Sequence, residues 1–179
     1  MKVTAWVGVA LLLLIGCGST APQTDSESLA FNKETEAAIE RLKGKDPGLK
    51  EWFGEKAYGY VVFPDIGKGG LVVGGAHGRG QVYEQGKHIG FAEMAQGTIG
   101  AQVGGQSYIE VIFFKNEATL KAFTAGGWEM GAQVSAVAVR SGASQDADYK
   151  KGVCVFTMSK GGLMAEASVG GQKFKYVKK

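Results

Sequence analysis

Apolar and polar positions change their spacing twice along the chain. Val3 to Ile15 is an apolar run broken only by Thr4 and Gly8, with Lys2 ahead of it and Gly16-Cys17 behind. Residues 18–28 are small and polar and show no apolar period, so they read as a tether. Leu29, Phe31, Thr35, Ala38, Ile39 and Leu42 then recur at helical spacing, opposite Glu34, Glu36, Glu40, Arg41 and Lys43. This predicts an amphipathic helix with Gly44 as its C-cap. Asp46-Pro47 predicts a short second helix through Trp52 and Phe53, because Asp caps free amides and Pro suits a first turn. After Gly54 the texture becomes that of strands. Residues 57–63 are aromatic and β-branched and end at Pro64-Asp65, a turn signal. Residues 70–83, 89–106, 108–114, 132–139, 153–158, 163–169 and 173–177 continue in that style. Asn116 to Phe123 is the exception: Asn caps, Glu117 follows, and Leu120 and Phe123 share a face, which predicts a short helix.

The expected architecture is therefore α+β and mainly β: an antiparallel, Gly-rich barrel or sandwich with a few flanking helices, preceded by an amphipathic helix. The expected organisation is a signal peptide at 1–16, a tether at 17–28, a helical lead-in at 29–54 and a β-rich domain at 55–179. Glycine supports this picture. The chain holds 29 Gly in 179 residues but 3 Pro, with no Gly-X-Y period. Glycines inside strands mark bends, bulges or close backbone approach.

The first 17 residues imply a location. Their roughly 14 apolar positions fall short of the roughly 20 that a membrane-spanning helix needs, so a secretory signal is the better reading. Leu14-Ile15-Gly16-Cys17 resembles the bacterial lipobox, in which the cysteine receives a diacylglycerol and an acyl chain; the bland alternative is a chance cysteine beside an ordinary cleavage site. Several acyl chains on Cys17 would anchor the mature protein without spanning the membrane. Gly18, where Asp would favour the inner membrane, points to the outer membrane and its periplasmic face. Cys154 lies in an apolar run and reads as a buried small hydrophobe.

Charge narrows the function. A net charge of +3 is too small for the dense cationic surface of a nucleic-acid binder, so no nucleic-acid partner is expected. Gly75 to Gly80 lacks the Gly-Lys-Ser/Thr and following helix of a phosphate loop. His77 and His88 have no ligand-spaced companions, so no metal or other cofactor is expected. Ser107 lacks the setting of a nucleophile. The expectation is a protein without catalysis. From residue 150 onward, Lys150, Lys151, Lys160, Lys173, Lys175, Lys178 and Lys179 face Glu166 alone among acids. Such an end meets anionic lipid headgroups or is simply a solvated tail. Candidate lipid contacts are Lys173, Lys175, Lys178 and Lys179, with Lys68, Arg79 and Lys87 in Gly-rich turns.

Four ordered blocks carry a family likeness: residues 56–64, residues 68–75 with Gly78-Arg79-Gly80, residues 97–107, and Trp128-Glu129-Met130-Gly131-Ala132 through Val139. They resemble the SYLF domain family over about Glu51 to Val177. Eukaryotic members are phosphoinositide-binding, membrane-remodelling modules, some linked to actin; bacterial members are often secreted lipoproteins. The resemblance implies membrane phospholipid as the partner. The expected function is a lipid-anchored cell-envelope protein that binds or organises phospholipid. The alternative is a structural or protein-interaction module with an envelope protein partner, held at the membrane only by its anchor.

Overall fold

The computed structural model describes residues 20–70, 73–99, 106–161 and 169–179. The expected signal peptide, Cys17, all but the last residue of the strand expected at 163–169 and most of the 97–107 block lie outside the described residues.

Helix α1 (Asp25–Lys45) starts within the expected tether because Thr24 caps it: the Thr24 hydroxyl accepts the Glu27 N–H, with Asp25 and Glu27 in the first turn. It runs past Gly44 to Lys45, and Asp46 closes it by donating its N–H to the Leu42 carbonyl. Phe31, Thr35, Ala38 and Leu42 form its buried stripe. A single turn, α2 (Leu49–Glu51), continues as a π-helical turn over Trp52–Lys56, which buries Trp52.

Seven strands form one sheet: β1 (Gly59–Gly70), β2 (Val73–Glu84), β3 (Lys87–Ile99), β4 (Gln106–Phe114), β5 (Ala136–Ala138), β6 (Val153–Ser159) and β7 (Lys173–Lys178). Their order is β5-β6-β4-β1-β2-β3-β7, and every neighbouring pair is antiparallel except β5 and β6, which run parallel. Gln85 and Gly86, both at positive φ, make the tight β2–β3 turn.

Two expected boundaries move. Pro64-Asp65 does not end a strand. The register instead shifts on both sides of it, between Val62 and Asp65 against β2 and between Phe63 and Ile66 against β4. Proline has no N–H for the ladder, so β1 bulges there and continues. The strand expected over 132–139 shrinks to β5, because the chain before it is used elsewhere. Met130 N–H donates to the Gln172 carbonyl at 2.8 Å, and the Phe174 N–H donates to the Trp128 carbonyl at 2.9 Å, laying residues 128–130 along β7. The chain then reaches β5 on the opposite edge.

That crossing sets the shape of the sheet. Seven flat strands would hold the outer two about 29 Å apart. Six residues, from Met130 to Ala136, span at most about 21 Å. The sheet is accordingly curved, with its two edges brought toward each other but no β5–β7 pairing among the described residues, so it is sandwich-like and open. Its inner face packs Val61, Phe63, Ile66, Met94, Ile112, Phe114 and Phe174 against Met130 and Val134 of the crossing segment and against α3 (Glu117–Thr124). The expected Asn116 cap is present, its side chain accepting the Thr119 N–H. The outer face packs Tyr60, Val62, Val111, Phe113 and Phe156 under Ala38, Leu42, Leu49 and Trp52. Alternating residues of β1 and β4 thus feed two cores.

Candidate functional site

The outer face is covered by α1 only in part. Gln81 donates to the Asn32 side chain at 2.6 Å, and Phe31 stacks on Phe91 with centroids 6.2 Å apart, so the start of α1 sits over β2 and β3. Beyond it the sheet surface is charged. Register aligns Lys175 of β7, Glu93 of β3, Arg79 of β2 and Asp65 of β1 in one row, and Lys160 pairs with Asp65 at 2.8 Å. Charges alternate along this row. Arg79, between two acids, also lies over the Phe31 ring at 5.4 Å.

Glu93 is the hub. Its Oε1 meets His77 Nε2 at 2.9 Å, and its Oε2 accepts the Thr20 hydroxyl at 2.9 Å. The His77 hydrogen bond holds the Glu93 carboxyl below its usual range, partial burial opposes, and Thr20 adds to the lowering. Thr20, read from sequence as part of a polar tether, is buried. The described chain is therefore held against β3 from Thr20 onward, and the three residues from Cys17 to Thr20 reach at most about 11 Å. Nothing in the composition of residues 18–28 announces this contact, because a tertiary partner leaves no local pattern.

The cations singled out from sequence do not form one patch. Arg79, Lys173 and Lys175 share the exposed outer face, where Lys173 is opposite Ala95 and Lys175 opposite Glu93. Lys87, Lys178 and Lys179 gather instead at the β2–β3 turn: Lys87 lies opposite Glu84, Lys178 opposite Gly90, and the Lys179 N–H donates to the Ile89 carbonyl. Lys68 falls near the far end of β1, opposite Ala76 and Gln106 and on the same strand face as Ile66. His88 is half-buried, with its ring 4.9 Å from Phe91, and burial lowers its pKa. Cys154 is buried as expected.

Sequence reading also passed over Glu110. It occupies an inward position of β4 between Tyr108 and Ile112 and is fully buried, where Gln172 Nε2 donates to its Oε2 at 3.0 Å. Strict alternation along residues 108–114 would have exposed this acid as a core position.

Residues 95–178, from the middle of β3 to the end of β7, match the family model described as Ysc84, Las17-binding protein actin regulator. Beta cell expansion factor A of Aeromonas veronii is 33% identical over 156 residues, which is 86% of this chain and 59% of that protein. The chain thus spans about 59% of the length of the curated relative it matches. The quoted blocks before residue 95 precede the family match and fall on β1 and β2, whose pairing carries β3 into the same sheet. With a matched segment that runs from β3 to β7 and a bacterial relative of the same type, the chain belongs to the SYLF family.

Proposed function

We propose that the protein is a lipid-anchored component of the cell envelope, without catalysis, whose SYLF domain binds or organises phospholipid through the outer face of β3 and β7. The observation that carries this reading is the hydrogen bond of Thr20 to Glu93. An acyl group on Cys17 would start within about 11 Å of Thr20. The bilayer it enters would then lie beside the face that exposes Lys173, Lys175 and His77. Each lysine near an anionic surface contributes about 1 kcal/mol. Lys87, Lys178 and Lys179 sit at the strand ends on the β2–β3 turn side and would reach headgroups at the rim. Lys68 and Arg79 contribute less, the first by its place on the other strand face and the second by its position between two acids.

The test uses the unacylated mature chain, residues 18–179, sedimented with vesicles of graded anionic content at low and moderate salt. Binding that weakens with salt and is reduced by Lys173→Glu with Lys175→Glu supports the reading. Absence of binding to any vesicle would sink it and favour an envelope module that docks on protein while Cys17 alone holds the membrane. Incorporation of a labelled fatty acid, lost in Cys17→Ala, tests the anchor separately.

A further inference from the structure

Glu110 stands opposite Phe63 of β1 and Thr157 of β6 in the ladder, wholly out of contact with water. Among the described residues, the Gln172 amide N–H is the one donor that reaches it, at Oε2. Glu110 Oε1 and Gln172 Oε1 are both buried without a partner among the described residues. Two carbonyl-type oxygens have only lone pairs to offer, so neither can satisfy the other. One proton on Glu110 Oε1 repairs both at once. The neutral carboxyl then donates to the Gln172 oxygen while it accepts from the Gln172 N–H, the two-bond ring of an acid–amide pair.

We propose that Glu110 is an internal proton-binding site whose neutral carboxyl clasps Gln172 and so fastens the turn that leads into β7, and that loss of the proton loosens this clasp. The surroundings are consistent. On β4 the neighbouring titratable group is Tyr108, a phenol that burial, then Glu110, pushes well above its usual range, with a hydrogen bond to the Gln172 side chain opposing. The inner face offers Phe63 and Ile66 from β1, Val155 and Thr157 from β6, Phe174 from β7, and Met130 and Val134 from the crossing segment, none of them charged. Lys68 lies on the same face of β1 but level with Gln106, and Glu129 of the crossing segment is exposed. Desolvation accordingly pushes the Glu110 carboxyl up to about 7, with the Gln172 hydrogen bond opposing.

Gln172 is placed to transmit the change. Its carbonyl accepts the Met130 N–H, the Gly171 N–H donates to the Met130 carbonyl at 2.9 Å, and Gln96 Nε2 donates to the Gly170 carbonyl at 3.1 Å. The Val169–Gln172 turn thereby ties β3, β7 and the crossing segment together. An ionised Glu110 keeps one donor and must recruit water, and lifting this turn admits it. The strand so released bears Lys173 and Lys175, although the proton site itself does not depend on the lipid reading.

Infrared spectroscopy of the unacylated mature chain tests the proposal. A protonated-carboxyl carbonyl band should persist at pH about 6, titrate away with a midpoint near 7, and be missing from Glu110→Gln. In parallel, amide exchange at Met130, Gly171 and Phe174, corrected for its intrinsic pH dependence, should accelerate about tenfold or more above pH about 7.5 in the wild type and stay flat in Glu110→Gln, whose amide keeps both bonds. A wild type with no such band at pH about 6, or with exchange as flat as that of the variant, overturns the proposal. The band is read on the wild type, so it decides even if Glu110→Gln fails to fold.

Discussion

The Asp46 carboxylate accepts the backbone N–H of Ser144 at 2.7 Å, a contact between residues 98 apart in sequence. Its other oxygen takes the N–H groups of Gly48 and Gly142, at 3.2 and 3.3 Å. One buried side chain thus ties the α1–α2 corner to the loop after β5, where the Trp52 indole also donates to the Ser144 carbonyl. Burial works to raise the Asp46 pKa, but the amides of Ser144, Gly142 and Gly48 outweigh it and the net shift is downward from 3.8. A depressed folded-state pKa gives stability that is present above 3.8 and lost as pH falls through the lower folded value. Asp46→Ala should cost about 2–4 kcal/mol at neutral pH, since it strands three amides. Urea unfolding should show that loss, and a gap from the wild type that narrows as pH falls below 3.8.

Glycines of the same sheet should respond oppositely to a methyl group. A Cβ at Gly90 would lie 2.5 Å from the Val177 carbonyl oxygen and 2.6 Å from the Tyr176 ring, so β3 and β7 must part to admit it. At Gly97 a Cβ would meet nothing within 4 Å. Gly90→Ala should therefore lose about 2–3 kcal/mol, whereas Gly97→Ala should be neutral or gain up to about 1 kcal/mol by restricting the unfolded chain. Equal melting temperatures for the two variants would refute the assignment of Gly90 to close strand contact.

Cys154 offers a probe of core opening. Burial, with a smaller push from Asp148, raises its thiol from 9.0 to about 12. At pH about 8 this leaves roughly 10³-fold less thiolate than an ordinary cysteine would have. With Cys17 replaced, a thiol reagent should label the native protein at the rate of its unfolding and label it at once in urea. Prompt labelling of the folded chain would contradict the burial of Cys154 in the outer core.

Local chemistry was legible wherever it is local. Asn116 capped α3, the Leu29–Leu42 periodicity found α1, and the aromatic and β-branched runs found the long strands. Non-local pairing was not legible. Trp128 to Met130 reads as the start of a strand, and what diverts it is hydrogen bonding to residues 172 and 174, which no window around Trp128 contains. Pro64 signals interruption correctly, but only the strands on both sides show that the interruption is a bulge. The site follows the same division. Lysine positions were readable, whereas their separation into an outer-face pair and a turn-end cluster depends on the parity of each strand. Thr20 and Glu93, 73 residues apart, carried no sequence signal for each other.

That last pair yields a prediction about the segment that precedes α1. The Thr20 hydroxyl and His77 both bond to Glu93, and His77 is the main reason its carboxyl lies below the usual 4.5. Glu93 is therefore ionised, and its hold on Thr20 complete, above about 4.5, and the hold is lost as pH falls through the lower folded value. One hydrogen bond of this kind contributes about 1 kcal/mol, so Thr20→Val should barely change global stability. It should nonetheless free the segment before α1. Limited proteolysis at neutral pH should cut between residues 18 and 24 several-fold faster in Thr20→Val and in Glu93→Gln than in the wild type, and acid should bring the wild type toward the variants. Identical cutting in all three would mean that Thr20 is not docked in solution. It would also remove the ground for placing an acylated Cys17 beside β3 and β7, because the anchor could then lie anywhere a free tether reaches.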